Sequence, residues 1–115
     1  MDLRLLVLRT PDSKRLADFY NAFGLTFDYH KHSNSPFHYS ATINETVLEI
    51  YPLTKSQTEA DKNLRLGFGV DNFDEIINRL IESGVVFSQE PVQTDFGFLA
   101  IVVDPDGRKI ELYKK

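Results

Sequence analysis

The sequence contains no cysteine. That excludes a disulfide scaffold, thiolate catalysis and cysteine-based zinc sites. It has no basic surplus either: 13 Lys and Arg stand against 17 Asp and Glu, a formal net charge of −4 at pH 7. A nucleic-acid binder ordinarily carries the opposite balance, so no nucleic-acid partner is expected. No apolar run approaches the ~20 residues of a membrane span, so no membrane partner is expected. The opening segment MDLRLLVLRT mixes acid and base into its apolar stretch and lacks a small-residue cleavage site, which reads against a signal peptide. There is no glycine-rich phosphate loop, no serine nucleophile motif and no dinucleotide fingerprint. The expectation is a soluble, cytoplasmic protein.

Apolar material is plentiful. Of 115 residues 42% are hydrophobic, including nine Phe and five Tyr, which supports a real core and excludes general disorder. The length fits one small domain, or two half-size modules that share a core.

The hydrophobic periods come in blocks. Residues 3–9 read as a strand. Residues 12–23 read as a helix, because Leu16, Phe19, Tyr20 and Phe23 recur at i, i+3, i+4 and i+7, with Asp12 or Thr10 as cap and Gly24 as stop. Residues 25–31 read as a second strand. Ser33-Asn34-Ser35-Pro36 is a turn cluster, and 37–43 and 46–52 are strands joined at Asn44-Glu45. Residues 54–63 hold a single apolar residue, Ala60, and read as an exposed linker. Beyond it Leu64, Leu66, Phe68 and Val70 alternate as a strand. Residues 73–83 are helical, with Phe73, Ile76, Ile77, Leu80 and Ile81 on one side and Gly84 as stop. Strands are expected at 85–88, 98–103 and 108–113, the last two separated by the turn Asp104-Pro105-Asp106-Gly107.

The two halves repeat. Gly24-Leu25-Thr26-Phe27 lies 60 residues ahead of Gly84-Val85-Val86-Phe87, and Leu16 and Tyr20 lie 60 ahead of Ile76 and Leu80. Each half, 1–53 and 64–115, reads strand–helix–strand–strand–strand around the linker 54–63. One helix covers only one face of such a sheet. The fold class is therefore α+β: two βαβββ modules in a curved, mainly antiparallel eight-stranded sheet, helices outside and a concave site within.

That pattern, with ADFYNAFGL in the first half and DPDGRKIEL at the end, resembles the vicinal oxygen chelate superfamily. Its members include lactoylglutathione lyase (glyoxalase I), extradiol dioxygenases, and fosfomycin and bleomycin resistance proteins. The resemblance spans essentially the whole chain. It implies that metal-dependent members carry four ligands, one from the first and one from the last strand of each half. Those positions are Leu5, Glu49, Arg65 and Glu111 here. The glutamates keep the acidic pattern, but leucine has no donor atom and arginine carries a permanent positive charge. Glu49 and Glu111 are thus the only retained ligand positions, and no metal or other cofactor is expected. The resemblance also implies a homodimer, since superfamily members often pair or exchange modules.

Two carboxylates alone make a poor transition-metal site. A guanidinium offers up to five N–H donors, so Arg65 is expected to take the electrostatic role of the dication between Glu49 and Glu111. Strand alternation places Arg65 with Gly67 and Gly69, Glu49 with Val47 and Tyr51, and Glu111 with Lys109 and Tyr113. Three readings stand at this point. The arginine and its acids form a closed structural ion pair; or they line an open cup that binds an organic ligand; or Glu49 and Glu111 hold a divalent Zn, Ni, Mn or Fe with water or substrate.

His30, His32 and His38 could in principle hold zinc, but they flank an exposed-looking turn with Lys31 between them, and solvation is the expectation. The aromatics are read mainly as core, with Phe37, Tyr39, Tyr51, Phe96, Phe98 and Tyr113 the available walls of an apolar pocket. Arg108, Lys109, Lys114 and Lys115 are expected to be solvated. The function implied is a metal-free protein, similar to the bleomycin resistance proteins, that binds a small organic molecule at Arg65, Glu49, Glu111, Tyr51, Phe98 and Tyr113. The alternatives are a metal-dependent lyase or dioxygenase, in which Glu49 or Glu111 moves a proton beside a carbonyl, and an interaction module with a vestigial pocket.

Overall fold

The computed structural model describes residues 1–115. The chain divides into two compact units, Met1–Asp61 and Lys62–Lys115. Each contains one helix and one four-stranded mixed sheet.

In the first unit β1 (Leu5–Thr10), α1 (Ser13–Asn21), β2 (Asp28–His30), β3 (His38–Ile43) and β4 (Thr46–Pro52) form a sheet of order β1-β4-β3-β2. The β1–β4 pair is parallel and the others antiparallel. Asp12 caps α1: its Oδ1 accepts the Arg15 amide hydrogen across 3.1 Å. Leu16, Ala17 and Tyr20 of the helix are buried, as are Leu8, Ala41, Leu48 and Ile50 of the sheet. Register puts Ala41 opposite Leu48 and Tyr39 opposite Ile50, so these side chains share the helix-covered face. Ser40 opposite Glu49, and Val7 opposite Glu49 on the other side, lie on the face turned away from the helix. Asn44 accepts a left-handed φ of 53° in the β3–β4 turn, a conformation asparagine tolerates better than most residues.

The second unit repeats the order. It contains β5 (Leu66–Val70), α2 (Phe73–Glu82), β6 (Phe87–Thr94), β7 (Gly97–Val103) and β8 (Lys109–Lys114), in a sheet of order β5-β8-β7-β6 with β5–β8 parallel. Phe73, Ile76, Ile77 and Leu80 of α2 are buried, together with Ala100, Val102, Ile110 and Leu112. Ile81, expected on the same helical stripe, is 53% exposed. The helix ends at Gly84, whose φ of 77° lets the Val85 amide reach back to the Leu80 carbonyl at 3.0 Å.

Two boundaries differ from the sequence reading. Strand β2 is three residues, shorter than the 25–31 expected, and β6 runs to Thr94 rather than ending at 88. Pro91 and a run of polar residues hide β6 from a periodicity argument. It is an edge strand with two register shifts, between Phe87 and Gln89 and between Gln89 and Val92, where a proline is tolerated. No helix is long and apolar enough to cross a membrane.

The DPDGR turn is more deeply built than a solvated loop. Arg108, expected at the surface, is 1% exposed. Its Nη1 donates to Asp104 Oδ2 at 3.1 Å and Asp106 Oδ2 at 2.9 Å, while Asp104 Oδ1 accepts the amides of Asp106 and Arg108. Burial works against the charged guanidinium, but the hydrogen bonds and charges of Asp106 and Asp104 outweigh it and hold Arg108 above its ordinary pKa.

Candidate functional site

Polar groups gather on the face of each sheet turned away from its helix. In the second unit, Arg65 lies one residue ahead of β5, and β8 carries Glu111 and Tyr113 two residues apart on one face. Arg65 Nη2 donates to Glu111 Oε2 at 2.8 Å, and the Tyr113 hydroxyl donates to Glu111 Oε1 at 2.6 Å. The carboxylate is thereby claimed through both oxygens. Gly67 is Glu111's register partner on β5, and the room it leaves is filled by the Tyr113 ring: a Cβ at Gly67 would stand 3.3 Å from Tyr113 Cε1. The hydrogen bond to Glu111, then desolvation and the charge of that carboxylate, push the Tyr113 phenol above its ordinary pKa, with Arg65 opposing.

The Arg65 side chain stays 52% exposed. It lines an open depression of about 350 Å³ with Lys62, Asn63, Gly107 and Lys109. Three of the five lining residues are cationic, a balance suited to an anionic or carbonyl group.

In the first unit the face turned away from the helix holds a row across all four strands. His30 of β2 pairs with His38 of β3, and Arg9 of β1 pairs with Tyr51 of β4. His38 and Tyr51 stack with centroids 4.1 Å apart and planes 10° apart, and Arg9 Cζ lies 4.6 Å over the Tyr51 ring. Glu49 joins from β4, its Oε2 3.3 Å from His38 Nε2. His32 folds back over the row because the turn after β2 is locked: the His32 amide donates to Ser35 Oγ at 2.9 Å, and the Ser35 amide to the His32 carbonyl at 2.7 Å. The imidazole centroids are 4.7 to 5.2 Å apart.

The structure thus brings Arg65, Glu111 and Tyr113 together, and Glu49 and Tyr51 together with the histidines. It does not bring Phe98 to either group. Phe98 points to the other face of β7 and meets Phe73 of α2 edge-on at 5.7 Å. Phe37 and Tyr39 pack with Tyr29 on the helix side of their sheet, and Phe96 is exposed in a turn. His38 corrects the expectation of a solvated tip, being fully buried, while His30 is half-buried and His32 exposed. A signal for this existed. With the turn centred on Asn34, residues 30 and 38 are equidistant from it and must face each other in an antiparallel hairpin. Lys31, between the two first histidines, alternates to the opposite face and lies 5.5 Å over Phe37.

The four ligand positions of metal-dependent relatives do not fit a metal here. Leu5 offers no donor, Arg65 is a cation, and both oxygens of Glu111 are engaged by Arg65 and Tyr113.

A family model, the Glyoxalase/Bleomycin resistance protein/Dioxygenase superfamily, matches residues 3–112. No curated protein sequence matches the chain. Among solved structures, the antibiotic binding protein TnmS3 from Streptomyces sp. CB03234 superimposes with a TM-score of 0.79 at 24% identity, covering 99% of this chain and 95% of that one. The oxidase ChaP-H2 gives 0.80 at 21% identity, covering 100% and 94%. A possible glyoxalase from Bacillus cereus gives 0.71 at 24%, covering 98% of each. At these identities the likeness speaks to fold.

Proposed function

The chain belongs to the Glyoxalase/Bleomycin resistance protein/Dioxygenase superfamily, and on that premise we propose that it binds a small organic molecule carrying an anionic or carbonyl group, using Arg65. One observation carries the reading. Arg65 is anchored on Glu111 through Nη2, yet half of its side chain remains open to the depression it shares with Lys62 and Lys109. A closed structural ion pair would have buried it. The anchoring limits the rotamer freedom that an arginine must surrender on meeting a ligand. A fold shared with an antibiotic binding protein supports sequestration or delivery as the role.

Glu111 positions Arg65, and Tyr113 holds Glu111. The phenol and the guanidinium occupy the two carboxylate oxygens, so the acid is not available as a base while both contacts stand. This favours binding over proton transfer at this position. The reading includes a homodimer, supported by the habit of the superfamily. Light scattering at micromolar concentration is expected to return twice the chain mass, and a monomer removes that part.

Thermal-shift and calorimetric titration with aromatic carboxylates, quinones and glycopeptide antibiotics tests the binding role. At least one class is expected to raise the melting temperature by mass action, and Arg65→Leu to abolish the rise. A flat response across the panel would favour an interaction module instead.

A further inference from the structure

His30, His32, His38 and Glu49 offer four donor atoms that all lie within 4.8 Å of one another. We propose that these four residues form a binding site for a late first-row divalent metal ion, zinc by its donor set. The site lies wholly within the first unit. Of its members, only Glu49 is among the positions that metal-dependent relatives use. It is independent of the ligand reading at Arg65.

The tautomer of His38 carries the argument. Its Nδ1 stands 3.0 Å from the Pro36 carbonyl oxygen, which can only accept, so Nδ1 holds the hydrogen. In the neutral ring Nε2 then presents a bare lone pair. That atom is buried and makes no hydrogen bond, although Glu49 Oε2 is 3.3 Å away. Oε2 stands off the axis that an N–H···O bond would need, so the bare lone pair and the carboxylate oxygen lie side by side with no hydrogen between them, and a buried polar atom left unmatched is costly. A cation between them resolves both problems. The Nδ1–H to carbonyl bond is also the outer contact that orients a metal-bound imidazole and raises its basicity.

Distances agree. Zinc bonds of about 2.0–2.2 Å put tetrahedral donors about 3.3–3.6 Å apart. His38 and Glu49 already match that edge, and the widest separation exceeds it by about 1.2–1.5 Å. His32 is exposed and His30 half-buried, so both rings have room to close in, while His38 is fixed by Tyr51 and the Pro36 carbonyl. Three neutral imidazoles and one carboxylate sum to −1, which a dication turns to +1. Three nitrogens and one oxygen select a late first-row ion over magnesium or calcium, which prefer oxygen.

The test uses the full chain, stripped with chelator and titrated with cobalt(II), then with zinc. One equivalent of cobalt is expected to give the intense visible bands of a tetrahedral ion, and one equivalent of zinc to erase them. His38→Ala risks the fold, so the decisive variant is His32→Ala, on an exposed residue. It is expected to weaken binding by more than the about 10–100-fold that outer-shell changes cost, with an unchanged circular dichroism spectrum. Arg65→Leu, which removes the ligand site, is expected to leave the cobalt spectrum intact. Weak octahedral bands only, or tetrahedral bands that persist unchanged in His32→Ala and His30→Ala, would overturn the site.

Discussion

The Tyr113 hydroxyl hydrogen-bonds Glu111 Oε1 across 2.6 Å while the Arg65 guanidinium holds Oε2 at 2.8 Å. A phenol and a cation therefore share one carboxylate. The contact favours the protonated phenol, and Tyr113 ionises above the ordinary 10.0. The folded chain thus binds that proton more tightly than the unfolded chain does. The linked stability is complete below the unfolded value and is lost as pH climbs through the higher folded one. Ultraviolet titration of phenolate should show Tyr113 ionising late. Tyr113→Phe should delete that late component, and Glu111→Gln should move it earlier.

Arg65→Leu should cost little stability. Its ion pair with Glu111 is 52% and 26% exposed on the two sides, and solvent-screened pairs of this kind contribute at most about 1 kcal/mol. Urea unfolding checks this. A small change in midpoint alongside a lost ligand response would separate binding from folding.

Asp104→Ala should behave in the opposite way. It strips Arg108, 1% exposed, of one of its two carboxylates and releases the amides of Asp106 and Arg108. Removing one partner of a buried pair costs about 3–5 kcal/mol. The same urea experiment should show the larger drop.

Gly67→Val tests whether the β5 glycine makes space for Tyr113. A Cβ at Gly67 would already press within 3.3 Å of Tyr113 Cε1, and valine's added methyl groups should push the ring off Glu111. Valine suits a strand, so secondary structure should survive. The late phenol ionisation should fall back to the ordinary range, and an unmoved titration would refute the role given to this glycine.

The repeat made the architecture legible. Both helices begin and end close to where apolar spacing, Asp12 and the two stop glycines place them, and β4 matches its expected range. The resemblance put Arg65 and Glu111 at neighbouring positions, and strand alternation added only which residues share a face with each. Phe98 was not legible, since alternation from Gly97 onward depends on where the turn before it ends, and β6 gave no periodic signal to fix that end. The polar turn at 33–36 and Lys31 mask the histidine cluster in the sequence. The proximity of its imidazoles comes from pairing His30 with His38 and from Ser35 pinning His32, both of them turn geometry. Arg108 was misplaced because charge in a turn usually means solvent, and only the spacing to Asp104 and Asp106 reveals an internal partner.

Strand β6 has a consequence for solubility. It forms the outer margin of its sheet, and Pro91 together with two slips in pairing interrupts the row of amide hydrogens that another molecule would need to dock alongside. Both features work against templated growth along this edge. A substitution that straightens this stretch, Pro91→Val, would trade that protection for a smoother ribbon that invites self-association.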